Sequence, residues 1–156
     1  MGFLRWVRVV AIVPTINTRE QEAEMKITGI ETIRAEQHGN LLWVLIETDE
    51  GLVGHGETFR NAIATEAYIH ETCAPYLLGK DPRNIERHAN ALMNSVGNRF
   101  IGYPTRSVET RGNSAVDLAL WDLLGKSLDQ PVWRLLGGLS HDRIPIYNTC
   151  AGADYN

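Results

Sequence analysis

The stretch that most constrains this chain is SAVDLALWDLLGKSLDQPVWRLLGG, residues 114 to 138. Its first part has the length and composition of a helix, yet apolar side chains fall on nearly every side instead of along one stripe. A helix with no clear solvent face needs neighbours on more than one side. It nevertheless carries Asp117 and Asp122. A bare ionised carboxylate in an apolar setting is very costly, so each should be paired or hydrogen-bonded. Asp122 and Lys126 stand four apart in the favourable orientation, and Arg111 and Arg134 are further candidate partners. Both aspartates are therefore expected to be structural ties, and something larger than this chain is expected to cover the helix.

The 156 residues allow one domain, or one domain and the start of another. A hydrophobic share of 44% with 22% charged residues is that of an ordinary soluble protein. The net charge of -4 argues against nucleic acid or an anionic membrane as a partner bound through bulk charge. Cys73 and Cys150 lie far apart with no CxxC companion, which fits reduced, incidental thiols and a cytoplasmic chain. The apolar run from Phe3 to Val13 is broken by Arg5 and Arg8 and ends at Pro14, well short of the roughly 20 residues of a membrane span. Residues 1–24 are read as an extension or a mis-assigned start and are expected to be poorly ordered.

From Met25 onward the pattern is strand-like. MKITGIETIRAE alternates, and NLLWVLIETDEGLVGHGET holds two β-rich runs joined through Asp49-Glu50-Gly51, a hairpin signal. After Thr58 the period becomes helical. Ile63, Ala67, Ile69 and Cys73 form one stripe, stopped by Pro75 and Gly79. Asp81 before Pro82 reads as an N-cap with proline at the first helical position. Ile85, His88, Ala89, Leu92 and Val96 then form the buried face, closed by Gly97. A third helix of roughly twenty residues contains the opening stretch. A short fourth helix begins at Pro131, and RIPIYNT, residues 143–149, reads as a strand. The expected class is α+β, a three-stranded antiparallel meander followed by a helical bundle.

Local motifs for chemistry mostly fail. Gly54-His55-Gly56 lacks the third glycine and the following helix of a dinucleotide fingerprint. Gly125-Lys126-Ser127 sits at a helix C-terminus, where a phosphate loop cannot work, and Leu120 stands where its first glycine belongs. Glu66, His70 and Cys73 share a helix face only in pairs, too few for zinc. His55 and His88 read as structural, and nothing near His141 suggests a role. No nucleophile motif supports a hydrolase.

The segments SAVDLALWDLLGKSLDQPVWRLLGG, VLIETDEGLVGHGE and LLGKDPRNIE, in this order and spacing, resemble the mandelate racemase/muconate lactonizing enzyme group of the enolase superfamily. The resemblance covers residues 25 to 150, with Gly112 where the pattern usually starts with alanine. It implies that residues 25–138 are an enolase-like N-terminal capping domain and that 139–156 begin a (β/α) barrel, RIPIYNT being its first strand. A whole barrel takes about 250 residues. The family's chemistry is abstraction of a proton beside a carboxylate, with Mg²⁺ stabilising the enolate and Lys or His acting as base. None of those groups matches a residue here, so no catalytic or metal-ligating residue is assigned, and this chain alone is expected to bind no Mg²⁺. The loops that close over substrate in the family correspond to AEQHGN and ETFRNA. They contribute His38, Asn40, Thr58 and Arg60 as candidate substrate contacts, and Arg99 and Asn148 join them. Arginine suits a carboxylate and the polar companions suit a polyol. The resemblance thus implies the cap of an acid-sugar dehydratase or related racemase. Its partners would be a sugar acid, a barrel supplied by a longer or separate chain, and further copies in a homo-oligomer, with no nucleic acid or membrane. The alternative is a remnant serving as an interaction module, or a truncated product.

Overall fold

A computed structural model of the chain describes residues 4–10, 24–96 and 106–147. One layer is an antiparallel sheet in the order β1-β2-β3-β4, with β1 Leu4–Val10, β2 Ile27–Ala35, β3 Leu41–Thr48 and β4 Val53–Phe59. The meander β2-β3-β4 is the expected one. The sheet has a fourth strand, which corrects the reading of three. β1 pairs along its length with β2, from Leu4 opposite Ala35 to Val10 opposite Gly29. Arg8, which interrupts its apolar run, is accommodated because Nε lies 2.9 Å from Glu31 and Nη2 lies 2.7 Å from Glu47. An edge strand tolerates such a charge where a central strand would not.

β3 alternates cleanly, with Leu42, Val44 and Ile46 wholly buried on the face that meets the helices. Helix α1, Ala62–Tyr68, runs through a π-helical turn, Ile69–Cys73, into α2, Ala74–Leu77. Pro75 does not stop the helix as expected. Its ring would clash with the carbonyl one turn back, and a widened turn, in which Ala74 N–H reaches Ile69 C=O, accommodates it. The buried face is Ala62, Thr65, Glu66, Ile69 and Cys73, whereas Ile63 and Ala67 point outward. Two polar residues occupy core-facing positions, so the apolar stripe read from the sequence was displaced. Burial pushes the Cys73 thiol up to about 12, which keeps it protonated and inert.

Helix α3, Ile85–Ala91, buries Ile85 and His88 and continues into a second π-helical turn, Leu92–Val96. It starts after Asn84 and not at Pro82. Asp81 accepts hydrogen bonds from the Arg83 backbone N–H at 2.9 Å and from its guanidinium, closing a tight turn instead of capping the helix. The Val96 side chain and Gly97 lie outside the described residues.

Helix α4, Arg106–Ser127, contains the constraining stretch and is followed by α5, Val132–Leu135. It lies antiparallel along β4. Arg111 meets Phe59, Ala115 faces Gly56, Ala119 faces Gly54, and Lys126 reaches Val53. Fifteen helical steps cover about 22 Å and six strand steps about 20 Å, so the two elements stay matched along their contact. Gly54 and Gly56 allow this approach, since a methyl at either would overlap the carbonyl oxygen of Ala119 or Ala115.

The two aspartates differ. Asp122 accepts from Lys126 Nζ at 2.6 Å and from the His55 backbone N–H at 2.8 Å, joining α4 to β4. Burial raises its carboxyl, but the ammonium and the amide hold it below the usual value. Asp117 makes no such tie, contrary to expectation: it has no hydrogen-bond or ion-pair partner among the described residues. Arg111 and Arg134, its candidate partners, bond instead to Phe59 C=O and Gln130. Partial burial, with Glu86 nearby, pushes the Asp117 carboxyl above its usual range. A raised folded value means the charged form is disfavoured by folding, so Asp117→Asn is expected to raise the urea midpoint at pH 7 and to lose that advantage near pH 4. An unchanged or lower midpoint at pH 7 would count against this account.

The strand read at 143–149 is corrected too. Residues 143–147 form no strand, and Ile144, Ile146 and Tyr147 are 79%, 92% and 86% exposed. A barrel strand exists only through hydrogen bonds to neighbouring strands, and no described residue offers one. Asn148 and Thr149 lie outside the described residues.

Candidate functional site

Two connections meet at one end of the sheet. Between β2 and β3 the chain makes a short helical turn, Glu36–His38, and passes through Gly39 to Asn40. After β4 it turns into α1 through Arg60 and Asn61, both left-handed with φ of 65° and 52°. Two consecutive non-glycine residues in this region are unfavourable and persist only when the surroundings hold them. Here Arg60 N–H donates to Asn40 C=O at 2.7 Å, and Asn61 C=O accepts the first helical bond, from Thr65 N–H at 2.9 Å. The register Leu41 opposite Phe59 and Leu42 opposite Thr58 brings the connections side by side.

Of the residues named from sequence, His38, Asn40, Thr58 and Arg60 are thus gathered at one end. His38, Asn40 and Arg60 are exposed and Thr58 is half-buried. Arg99 and Asn148 lie outside the described residues. Two neighbours were missed. The Phe59 ring has two guanidinium groups close to it, with Arg60 5.5 Å and Arg111 5.0 Å from its centre. Arg111 also donates from Nη1 to Phe59 C=O at 2.7 Å, bracing the strand just before the strained turn. It is 52 residues away in sequence, and only the antiparallel lie of α4 along β4 delivers it.

A polar cluster connects this end of β2 to α1. Arg34 Nε lies 2.9 Å from Glu66 Oε2, Thr32 donates to Glu66 Oε1 at 3.0 Å, and Thr32 Oγ1 is 2.7 Å from His70 Nε2. Because the hydroxyl proton goes to Glu66, the hydroxyl oxygen accepts from His70 Nε2–H. That leaves His70 Nδ1 bare, buried and without a partner. Burial lowers the His70 pKa, partly opposed by Glu66. Burial also lowers that of His88, which donates from Nε2 to Asp81 C=O at 2.8 Å.

Both histidines therefore bind protons more weakly folded than unfolded. Below the unfolded value of about 6.5 the unfolded chain takes up protons first, so stability falls as the pH drops from there toward the lower folded values. Urea midpoints should be level between pH 8 and 7 and decline from about pH 6.5 to 5. His70→Gln, which retains an N–H donor toward Thr32, should flatten part of that decline. A midpoint independent of pH across this window would contradict the assignment.

The described residues include no group of three or more His, Cys, Asp or Glu side chains able to hold a metal ion. The resemblance assigns the Mg²⁺ ligands to the barrel and none to these residues. Among them, no helix is long and apolar enough to cross a membrane.

A four-stranded antiparallel sheet backed by helices, with two loops meeting at one end, is the architecture of an enolase-type N-terminal cap. Residues 15–137 match the family model of the mandelate racemase / muconate lactonizing enzyme N-terminal domain, and the chain belongs to that family. It is 42% identical over 130 residues to a D-galactonate dehydratase of Verminephrobacter eiseniae, covering 82% of this chain and 32% of that protein. It is 37% identical over 132 residues to a D-mannonate dehydratase of Novosphingobium aromaticivorans, covering 83% of this chain and 32% of that one. Among solved structures, an enolase protein from the environmental genome shotgun sequencing of the Sargasso Sea superposes with a TM-score of 0.74 at 44% identity, over 84% of this chain and 34% of that one. The chain spans about a third of the length of the curated relatives it matches.

Proposed function

We propose that this chain is the substrate-capping part of a Mg²⁺-dependent acid-sugar dehydratase, with a (β/α) barrel beyond these residues supplying the metal ligands and the acid/base groups. The observation that carries the reading is the meeting of the Glu36–His38 turn and the Arg60–Asn61 turn at one end of the sheet. They bring His38, Asn40, Thr58 and Arg60 together. The sugar-acid dehydratases among its relatives supply the substrate class. Arg60 would take the carboxylate, and the polar groups would take hydroxyls. The reaction would remove the proton α to the carboxylate and expel a β-hydroxyl; a related racemase would return the proton instead.

The exposed apolar side chains of α4, α5 and the segment after them support a docked barrel. Leu118, Trp133, Leu136 and Leu139 are all open to solvent, and Trp121 and Leu124 are half-covered. The same surface fits the second reading, an interaction module that binds another protein. Association into homo-oligomers is part of the proposal, as is a cytoplasmic location.

The test is a dehydration assay of the purified chain with Mg²⁺ and a panel of sugar acids, run alone and with a separately produced barrel segment from a relative. Turnover only with the barrel is the expected result. Turnover by the chain alone would overturn the proposed division of labour. No turnover in either case, with the two parts shown to associate, would favour the interaction module.

A further inference from the structure

A groove of about 620 Å³ lies at the open edge of β4, between the end of that strand and the first half of α4. Four hydroxyl side chains border it, Thr58 from the strand and Ser107, Thr110 and Ser114 from the helix, with the Phe59 ring beside them. Its cation is Arg111. The bond from Nη1 to Phe59 C=O fixes the guanidinium, yet it has no carboxylate partner among the described residues, and its Nε is buried without a hydrogen bond. The carboxylate on the border, Glu57, is engaged by the Trp43 indole N–H at 2.9 Å.

A held guanidinium with no counter-ion attracts an anion, and its planar donors match a carboxylate. The Ser114 hydroxyl donates to Thr110 C=O at 2.8 Å and so offers a ligand an acceptor, while the other hydroxyls both donate and accept, which suits a ligand that does the same. Phe59, 48% exposed, offers apolar surface to the carbon chain between them. A neutral polyol would leave Arg111 unmatched, and a small anion would leave the hydroxyl row unused. We infer that this groove is a binding subsite for a polyhydroxylated carboxylate, separate from the one Arg60 would serve, and that Arg111 holds its carboxylate. The identity of the ligand rests on the reading of the chain as an acid-sugar cap. The residues do not: apart from Thr58 they lie outside the candidate set taken from the two closing loops.

The ¹⁵N-labelled 156-residue chain tests this by NMR titration with sodium gluconate, with glucitol, which has the same carbon chain without the carboxylate, and with sodium acetate, all at matched ionic strength. Gluconate is expected to shift the amides of Thr58, Ser107, Thr110 and Ser114 saturably, with a Kd of roughly 1–10 mM. Glucitol and acetate should each bind about tenfold more weakly or worse. Arg111→Gln should weaken gluconate by about tenfold while the rest of the spectrum is retained. Should that variant lose its fold, Thr110→Val, at an exposed helical position, should still weaken gluconate about threefold. No groove shifts at about 50 mM gluconate, an equal response to glucitol or acetate, or unchanged binding in the folded variants would each overturn the inference. Gluconate binding here without dehydration by the chain and barrel together would support the subsite and remove the dehydratase reading. Dehydration with a silent groove would do the reverse.

Discussion

Gly56→Ala is expected to lower stability by about 3–5 kcal/mol, near the upper end for a single substitution. The added methyl would overlap the carbonyl oxygen of Ala115, which is backbone in the middle of a 22-residue helix. No rotamer change relieves such a contact. α4 would have to lift from β4, and that would open the packing of Ala115, Ala119 and Leu123, all buried against the sheet. At this chain length the loss corresponds to a fall in Tm of about 10 °C or more. Gly39→Ala is the control: nothing lies within 4 Å of the added atom, and stability should change by about 0.5 kcal/mol or less. Thermal and urea unfolding of the two variants side by side measures the difference. A Gly56→Ala chain as stable as the parent would mean that α4 does not sit this close to β4.

Glu66→Ala is expected to cost a comparable amount, about 3–5 kcal/mol, for an electrostatic reason. Its carboxylate is the partner of the Arg34 guanidinium, whose side chain is only 15% exposed, and it also accepts from the buried Thr32 hydroxyl. Removing it strands a mostly buried cation and leaves the Thr32 hydroxyl with only His70 as a partner, and an unsatisfied buried charge carries its full desolvation cost. The pair as a whole is a weaker source of stability than this loss suggests. Arg34→Met combined with Glu66→Leu should regain at least about half of it, because neither change then leaves a charge alone. A double-mutant cycle separates the two contributions. If the double variant is less stable than Glu66→Ala, the Arg34–Glu66 contact is not the source of the loss.

Period and punctuation made the meander, the long third helix and the Asp122–Lys126 tie legible in the sequence. Leu42, Val44 and Ile46 alternate without exception, and Asp122 and Lys126 are local enough for helical spacing to join them. Two of the misreadings have a common cause. Glu66 faces the core because Thr32 and Arg34 on β2 bond to its carboxylate, and a polarity pattern along one element contains nothing about the other. β1 was passed over because the charge of Arg8 is matched by Glu31 and Glu47 on strands that follow it. The turn at Asp81 misled because an aspartate ahead of proline serves a helix cap and a tight turn equally well.

The candidate site divides along the same line. The two loops that carry His38, Asn40, Thr58 and Arg60 could be located from the sequence, since each adjoins a strand with a clear pattern and the family resemblance marks both. Arg111 could not be assigned there, because in the sequence it reads as one more charge near the start of a helix. By itself the sequence determined the α+β class, the family and the position of the two loops, for these follow from periodicity and from motifs read within single segments. Only the tertiary structure decided that Gly54 and Gly56 let α4 settle directly onto β4, and that the resulting antiparallel match carries Arg111 to Phe59. Steric fit and unpaired charge arise between elements distant in sequence, and they have no value until the chain has brought those elements together.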